Sequence, residues 1–428
     1  MTAKDRGDGQ GAPPRGAGAS GSGRRLRILH AVDYVLPGMG YQMSLLPKWN
    51  ARHGHDVHVV TSDRYWPFQD YERTLRPLLG PRRCGAGVSR RDGVTIHRLP
   101  CWAEYKHCPV LKGLERTIAE IRPDVILRHG TSTVDAFRTA LIARRKRIPL
   151  LMDNHMVFSV RVTTLDARLM YLFLPAMTRH VLVPPTYRFL GVAQECSRFL
   201  EEVQTVPHEK IDLLPLGLDT DLFRPDEQHG REVRRQLDIP QDALIVMQTG
   251  NLIPQKGPHW LAEAMAPTMA RDERVYLVFV GHGPEEHAAK IRAPLVEAGV
   301  MDRVRRIPAV PVREFGRLLN AADVCAWPSE ASLSCIEAAG CGKAVVMSGI
   351  PASRWRAECG IGVCYETGDV EDLAAVIGRF LADDAYRQAT GARAVEAAVS
   401  HFSYDAVARR AEDFMIEAIE DHQRRRGT

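Results

Sequence analysis

The sequence lacks any run of 18 apolar residues, so no membrane-spanning helix is expected. It also lacks a C-x-x-C pair. Nine cysteines are scattered over 428 residues, which argues against a disulfide framework or a zinc site and favours a reducing compartment. A strong excess of one charge is missing too. A net charge of +5 permits an anionic partner but does not demand one, and we expect no nucleic-acid partner.

The composition is that of a soluble globular protein, with 45% hydrophobic and 25% charged residues. The length exceeds one ordinary core and predicts two domains or more. Residues 1–25 are rich in Gly, Ala, Pro and Ser and carry no apolar block. We therefore expect a disordered tail instead of a signal peptide, and a cytoplasmic protein.

The first half opens with the pattern of a doubly wound α/β domain. A strand over 26–32 is followed by a glycine turn, a helix to about Arg52 and a strand over 55–60. Gly38 and Gly40 in the turn would let a phosphate or sugar approach the backbone, unless they only make a tight turn. Met43 takes the place of the third glycine of a dinucleotide fingerprint, so nicotinamide binding is disfavoured.

Three further features of this half bear on function. His155 follows a strand over 148–152, where α/β sheets hold ligands, although a structural histidine is an equal alternative. Residues 64–109 show little periodicity beyond one strand over 93–99. We interpret them as a long insertion on the side of the domain that would receive a substrate (the acceptor side), because long loops in compact domains are usually functional. The basic stretch 143–147 suits a helix C-terminus, with contact to anionic lipid as the less favoured alternative.

The second half repeats the strand, turn and helix pattern. The turn Gly250–Gly257 follows a strand over 243–249, and its Lys256 could meet a diphosphate. Gly281 opens the next turn. The triplet Asp219-Thr220-Asp221 resembles a metal-holding D-x-D, but its proline- and glycine-rich flanks favour an ordinary turn.

The most informative stretch is WPSEASLSCIEAAGCGKAVV, residues 327–346. It predicts a strand end, a serine-rich turn, a short helix and a new strand. Bare N–H groups at such a helix start suit phosphate, and Glu337 could accept from sugar hydroxyls. The alternative is a plain N-cap followed by a helix carboxylate.

Together these pieces resemble the GT-B glycosyltransferases of the family 4 type. The resemblance covers nearly the whole chain from Leu26. It rests on PGMGYQ, DNHM, the turn IDLLPLGLDTDLFRP joined to GNLIPQKG, and the PSEASLSCIEAAGCGKAVV stretch, in that order. It implies two Rossmann-like doubly wound parallel-sheet domains facing a cleft: residues 26–217 for the acceptor, 218–401 for a nucleotide-sugar, and a terminal helix over 402–428 that crosses back to the first.

The resemblance also implies roles for single residues. The family retains anomeric configuration and uses no metal and no cofactor besides its nucleotide-sugar. Lys256 matches the lysine on the diphosphate, Glu337 the glutamate on the ribose, and His155 the histidine that reaches the transferred sugar. The implied substrate-binding set is Gly38, Gly40, Gly250, Asn251, Gly281, Ser332, Leu333, Ser334 and Glu337.

Two positions depart from the family. Asn251 stands where an arginine is usual, so one positive charge on the diphosphate is missing. The paired glutamates are normally eight residues apart, but Ser329 occupies that place and Glu330 lies seven before Glu337. Either Glu330 takes the catalytic role, or Ser332 and Ser334 hold the sugar.

We therefore expect a glycosyltransferase that moves a sugar from a nucleotide-sugar to a glycan or lipid-linked acceptor, in polysaccharide or cell-envelope biosynthesis. We expect it in the cytoplasm, with contact to the anionic inner face of the cell membrane. The alternatives are a nucleotide-sugar epimerase or hydrolase of the same fold, and a non-catalytic nucleotide-binding relative.

Overall fold

A computed structural model describes residues 24–36, 40–68, 71–105, 107–157, 165–329 and 332–427. By their contacts these residues divide into two units. The N-terminal unit contains the described residues up to Gly217 together with those from Tyr404 onwards, and the C-terminal unit contains Leu218–Ser403. The second unit thus ends two residues beyond the expected boundary at 401, and Leu218 N–H at its start donates to Phe402 O near its end at 2.6 Å.

The first 217 residues alternate strands and helices. The strands are β1 (Arg27–Ala31), β2 (Asp56–Ser62), β3 (Gly87–Arg91), β4 (Val94–Leu99), β5 (Cys101–Tyr105), β6 (Cys108–Leu111), β7 (Val125–His129), β8 (Leu150–Asn154), β9 (Thr186–Gly191) and β10 (Ile211–Leu213). The helices are α1 (Gln42–Arg52), α2 (Tyr71–Thr74), α3 (Arg76–Leu79), α4 (Leu114–Ile121), α5 (Val134–Lys146), α6 (Leu165–Met177) and α7 (Gln194–Glu202).

Eight of these strands form one sheet in the order β10-β9-β8-β7-β1-β2-β4-β3. All its pairings are parallel except that of β3 with β4. Strands β5 and β6 make a separate antiparallel hairpin. The chain reverses its direction of progress between β1 and β7, which is where open α/β sheets bind ligands.

The C-terminal unit is a second doubly wound domain. Its elements are α8 (Glu227–Gln236), β11 (Leu244–Thr249), α9 (Pro258–Arg271), β12 (Val275–Val280), α10 (Glu285–Glu297), β13 (Val304–Ile307), α11 (Val312–Ala321), β14 (Val324–Trp327), α12 (Ser334–Gly340), β15 (Ala344–Ser348), α13 (Pro351–Glu358), β16 (Val363–Tyr365), α14 (Val370–Ala382) and α15 (Asp384–Ala397). The sheet order is β13-β12-β11-β14-β15-β16 with every pairing parallel, so the switch point lies between β11 and β14.

The last helix, α16 (Tyr404–Gly427), belongs to the N-terminal unit. Its buried residues recur at helical spacing, from Val407 through Ala411 to Met415 and Ile419. They join a core with Leu26 and Leu46, so α16 packs beside α1 and covers one face of the sheet.

Residues 64–109 contain more regular structure than the expected single strand. Helices α2 and α3 and strands β3, β5 and β6 were not predicted there. Strand β3 has no alternation of buried and exposed residues, because all five of its residues are exposed. It is held by backbone pairing with β4 instead of by buried side chains.

Within the part of the chain that the structure describes, no helix has both the length and the apolar content to cross a bilayer.

Candidate active site

Two glycine loops meet at the carboxyl edge of the C-terminal sheet. Gly250 and Gly281 follow β11 and β12 with φ of 116° and 142°. A Cβ on Gly281 would lie 1.9 Å from Gly250 O, and one on Gly283 would lie 2.1 Å from Leu252 O. Only glycine permits this backbone contact. It brings the bare main chain of both loops to the switch point.

Lys256 lies on the same edge, at the end of the loop that follows β11. Gln248 Nε2 donates to Lys256 O at 2.9 Å, which ties the end of this loop to the strand. Gly257 then turns with φ 66° to start α9. The Lys256 side chain is half-buried, whereas Asn251, in the place of the family arginine, is exposed.

The serine turn after β14 is anchored by the two strands beside it. Tyr365 O–H donates to Pro328 O, and Ser348 O–H donates to Ser329 O. Within the turn the hydroxyls of Ser332 and Ser334 are 2.5 Å apart. The side-chain N-cap considered above is not formed, because the N-cap position of α12 is Leu333. Glu330 lies outside the described residues.

Glu337 is a half-buried carboxylate one turn into α12. Burial raises the pKa of Glu337 to about 8. No cation among the described residues contributes to that shift. A carboxylate held this way is destabilised by its surroundings, and sugar hydroxyls could stabilise it by donating hydrogen bonds.

In the N-terminal unit, two of the predicted site residues can be placed. Gly40 is half-buried with φ 72°, two residues before α1 begins, and Gly38 lies outside the described residues. His155 directly follows β8 at the carboxyl edge, as expected, with a side chain that is 30% exposed. The amide of Asn154 fixes this turn by donating to Cys196 O at 3.0 Å.

A buried ion pair lies beneath His155. Asp153 Oδ2 is 2.5 Å from His129 Nδ1, and Asp153 Oδ1 is 3.4 Å from His155 Nε2. Burial lowers the pKa of His155, but the Asp153 carboxylate outweighs it, and the pKa lies above its usual value. These three side chains are also close enough for a shared metal ion, but hydrogen bonds already use both ring nitrogens of His129.

The Asp219-Thr220-Asp221 triplet forms a turn in which Asp219 bonds within its own segment. Asp219 Oδ1 accepts from the N–H of Asp221 at 3.1 Å, and Asp219 O accepts from the N–H groups of Leu222 and Phe223. The geometry is that of an Asx turn, the ordinary structural use of aspartate at such a place.

Sequence reasoning missed Asp153, His129 and the buried His30 as members of the site. The available signal was a polar residue in an otherwise apolar strand: His30 in β1, and Arg128 and His129 in β7. Residues of that kind are rarely buried without partners. The sequence pattern does not indicate which of these residues contact one another in the fold.

Comparison with known proteins agrees with this architecture. The family described as "Glycosyltransferase Family 4" matches residues 38–222, and "Glycosyl transferases group 1" matches residues 243–383. A solved structure of Anabaena HepE in complex with UDP aligns over 92% of this chain and 100% of its own, with a TM-score of 0.65 and 16% identity. The two parallel-sheet units are thus those of a GT-B glycosyltransferase.

Two bacterial relatives extend the match along the chain. The D-inositol 3-phosphate glycosyltransferase of Streptosporangium roseum is 30% identical over 342 residues, which are 73% of this chain and 74% of that protein. The one of Xylanimonas cellulosilytica is 30% identical over 398 residues, 87% of this chain and 89% of that protein. The chain belongs to the group 1 glycosyltransferases and is a transferase enzyme.

Proposed function

We propose that the enzyme binds a nucleoside diphospho-sugar at the switch point of the C-terminal unit. The observation that carries this proposal is Glu337, a half-buried carboxylate whose pKa is raised by burial, with no described cation contributing to the shift. Ribose hydroxyls on Glu337 would leave the diphosphate for Lys256 and the bare backbone at Gly250 and Gly281. The HepE structure with UDP supports a uridine nucleotide as the first candidate.

Leaving-group stabilisation must then differ from that of the family. With Asn251 in place of arginine, Lys256 and main-chain N–H groups carry the charge that develops on the diphosphate. We propose transfer with retention of configuration and without a metal ion, with His155 at the transferred sugar. Anomeric analysis of the product by NMR tests retention directly.

The acceptor is a hydroxyl compound of one of two kinds. The lipid-linked glycan expected above would serve polysaccharide or cell-envelope synthesis. The relatives named D-inositol 3-phosphate glycosyltransferase favour a small phosphorylated polyol instead. Transfer assays that supply inositol phosphate in one arm and a lipid extract in the other separate these possibilities.

A basic cavity gives the N-terminal unit a way to meet an anionic membrane. It has a volume of about 380 Å³ and lies at the amino ends of β8 to β10, at the edge of the sheet opposite to His155. Its cations are Arg144, Arg147, Arg188, Lys210 and Arg425. Arg188 and Arg425 already form ion pairs with Asp212 and Asp421, and Lys210 donates to two main-chain carbonyls, so Arg144 and Arg147 are the main candidates for lipid contact. Arg145, also expected to face lipid, forms an ion pair with Glu115.

We propose that this face holds phosphate headgroups at the inner face of the cell membrane. Binding to anionic vesicles should fall with salt and in the double variant Arg144→Glu/Arg147→Glu. It should persist in Arg313→Glu, an exposed position of the C-terminal unit. Equal binding to neutral vesicles would contradict the proposal.

The deciding experiment is calorimetry with UDP, GDP and ADP on the wild type and on Glu337→Gln. We expect one nucleotide to bind and the variant to bind it more weakly, whereas Glu263→Gln on the exposed face of α9 should not change affinity. Glu330→Gln should spare the free nucleotide and slow transfer, as a contact made mainly in the transition state would. Absence of binding to all three nucleotides would contradict the proposal. Nucleotide binding without any donor turnover would favour the non-catalytic alternative, and donor turnover without acceptor would favour the epimerase or hydrolase.

A further inference from the structure

A continuous chain of hydrogen bonds runs through the N-terminal unit, from the ion pair beneath His155 to the terminal helix. His129 contacts His30 at 3.0 Å, His30 contacts Asn50 at 3.1 Å, and Asn50 contacts Glu412 at 2.6 Å. His30 and Asn50 are fully buried. Because each group can only donate or accept in certain ways, the chain fixes where its protons lie.

Glu412 determines which group donates and which accepts in each of these hydrogen bonds. His53 lies between Glu412, 2.8 Å from its Nδ1, and Asp405, 2.8 Å from its Nε2. Burial lowers the pKa of His53, but these two carboxylates outweigh it, so the pKa is raised. Burial raises the pKa of Glu412, but its bonds to His53, His55 and Asn50 outweigh it, so the pKa is lowered. Glu412 is therefore an ionised carboxylate that only accepts.

The amide of Asn50 connects Glu412 to His30 and determines which nitrogen of His30 carries the proton. Its Nδ2 donates to Glu412 Oε1, so its Oδ1 is the atom that faces His30 Nε2. An amide oxygen only accepts, and His30 must therefore carry its proton on Nε2. Burial and the nearby His129 lower the pKa of His30 to about 3. A neutral His30 has a bare Nδ1, which can only accept.

His129 then has to donate from both ring nitrogens. Its Nε2 faces the bare Nδ1 of His30 at 3.0 Å, and its Nδ1 faces Asp153 Oδ2 at 2.5 Å. The main-chain N–H of Gly130 already donates to Asp153 Oδ1 at 3.0 Å. Burial raises the pKa of Asp153, but His129 and His155 outweigh it, so Asp153 is an anion.

We infer that Glu412, Asn50 and His30 form a proton-fixing relay that holds His129 as the doubly protonated partner of Asp153. The positive charge on His129 then offsets part of the negative charge on Asp153, so that His155 is influenced less by Asp153. Glu412, Asn50 and His30 are positioning residues and need not touch substrate. Among the described residues, the titratable groups that face this ion pair are His30 from β1, His155 after β8, and the Cys196 thiol on α7. Only the kinetic consequence rests on the proposed role of His155.

The primary test is NMR of the full chain with ¹⁵N-labelled histidine near neutral pH. We expect both ring nitrogens of His129 to carry protons, with a strongly shifted signal for the short bond to Asp153, and His30 to carry its proton on Nε2. A singly protonated His129 in the wild-type protein would overturn the inference. This measurement needs no substrate and no variant to fold.

The second test removes the amide that gives the relay its direction. In Asn50→Leu, His30 can move its proton to Nδ1 and donate to His129, which then needs only one proton. We expect His129 to lose its charge and the pKa of His155 to rise. An unchanged His129 in a folded Asn50→Leu variant would contradict the relay.

The control is a second histidine pair in the same sheet. His58 and His97 also lie 3.0 Å apart through Nδ1 and Nε2, with ring centroids 5.3 Å apart, the same separation as for His30 and His129. His97→Gln should leave the signals of His129 unchanged. A change there would mean that the signals report general disturbance of the sheet.

The kinetic arm connects the relay to catalysis. The limb of the kcat/KM profile that belongs to His155 should move to higher pH in Asn50→Leu, by about one pH unit, the scale of one lost neighbouring charge. It should not move in His97→Gln. If NMR shows the relay and the profile is flat in every variant, the assigned role of His155 fails while the relay stands.

Discussion

The two switch points of this enzyme differ in whether a buried carboxylate has a basic partner. Between β1 and β7 each one does, since Asp33 binds Arg128 at 2.6 Å and Asp153 binds His129 at 2.5 Å, although burial still raises the pKa of Asp33. Between β11 and β14 the half-buried Glu337 has a pKa raised by burial alone. Removing one member of a buried pair leaves the other charge without a partner and destabilises the fold, whereas an uncompensated carboxylate could gain its partner from a ligand.

This contrast assigns different tasks to the two units. At the N-terminal switch point, polar side chains hydrogen-bond to one another, and His155 directly follows the strand that carries Asp153. The C-terminal site combines backbone loops with a carboxylate and Lys256, and a nucleotide would complete it. Ligand should therefore stabilise the C-terminal unit more than the N-terminal one, and four changes test the comparison.

The largest effect is expected for Arg128→Met at the N-terminal switch point. The Arg128 side chain is 2% exposed and also donates to Ala31 O at 2.9 Å. Its loss leaves Asp33 buried without its cation, which should cost about 3–5 kcal/mol in the free energy of unfolding. Denaturant titration measures this cost, and adding Asp33→Asn should recover part of it.

Arg116→Met on α4 is the matched control. Arg116 forms an ion pair with Glu120 at 2.8 Å, but its side chain is 85% exposed. Water replaces such a pair at almost no cost, so the change should stay below about 1 kcal/mol. Equal losses in the two variants would mean that the Arg128 pair contributes no more to stability than an exposed ion pair.

The next effect is expected at the C-terminal site, and on binding instead of stability. Lys256→Ala should weaken nucleoside diphosphate binding by about 1.5–3 kcal/mol, the scale of a hydrogen bond to a charged group. Nucleotide titration measures the loss. Lys290→Ala on the exposed face of α10 removes the same charge from the same unit and should leave affinity unchanged. Unchanged affinity in Lys256→Ala would remove the lysine from the site.

A smaller and opposite effect on stability is expected for Glu337→Gln. The folded protein holds a proton on Glu337 until about pH 8, against an ordinary pKa of 4.5, so wild-type stability falls as the pH rises through this window. The Glu337→Gln variant has no carboxyl group to ionise there, so it does not lose stability in this way. It should be more stable than wild type by about 1–2 kcal/mol above pH 8, a discounted figure because solvent reaches part of the carboxylate.

Denaturation curves at pH 5 and pH 8.5 measure this difference, with Glu263→Gln as the control. The advantage of Glu337→Gln should be near zero at the lower pH and should vanish when saturating nucleotide stabilises the wild-type protein. A variant that is less stable than wild type at pH 8.5 would show that Glu337 serves the fold, and the contrast between the switch points would be lost.

The sequence predicted the local structure around Glu337 better than the contacts beneath His155, for a physical reason. Strand β14 has the expected bounds Val324–Trp327, and Glu337 lies one turn into α12, because local signals such as Pro328 and glycine decide these features. The relay beneath His155 depends on Asn50 meeting Glu412, 362 residues further along the chain. No local pattern encodes such a pair.

The same limit explains the insertion and the last helices. Strand β3 has no buried face to give an alternating pattern. Helix α15 was not predicted, and it packs where Gly391 approaches the backbone of Gly342, since a Cβ there would lie 2.2 Å from Gly342 O. Glycine inside a helix lowers its propensity, and only the tertiary contact explains its presence.

The smallest effect is expected outside both switch points, at the Asp219-Thr220-Asp221 turn. Asp219 accepts from the N–H of Asp221 at 3.1 Å, and an asparagine oxygen can accept the same bond. Asp219→Asn should therefore leave the transfer rate unchanged, and EDTA should leave it unchanged too, because the proposed chemistry places Lys256 and backbone N–H groups on the diphosphate. Initial rates with and without added Mn²⁺ measure both. A manganese requirement that is lost in Asp219→Asn would make the turn a metal site, and the charge missing at Asn251 would then be supplied by an ion.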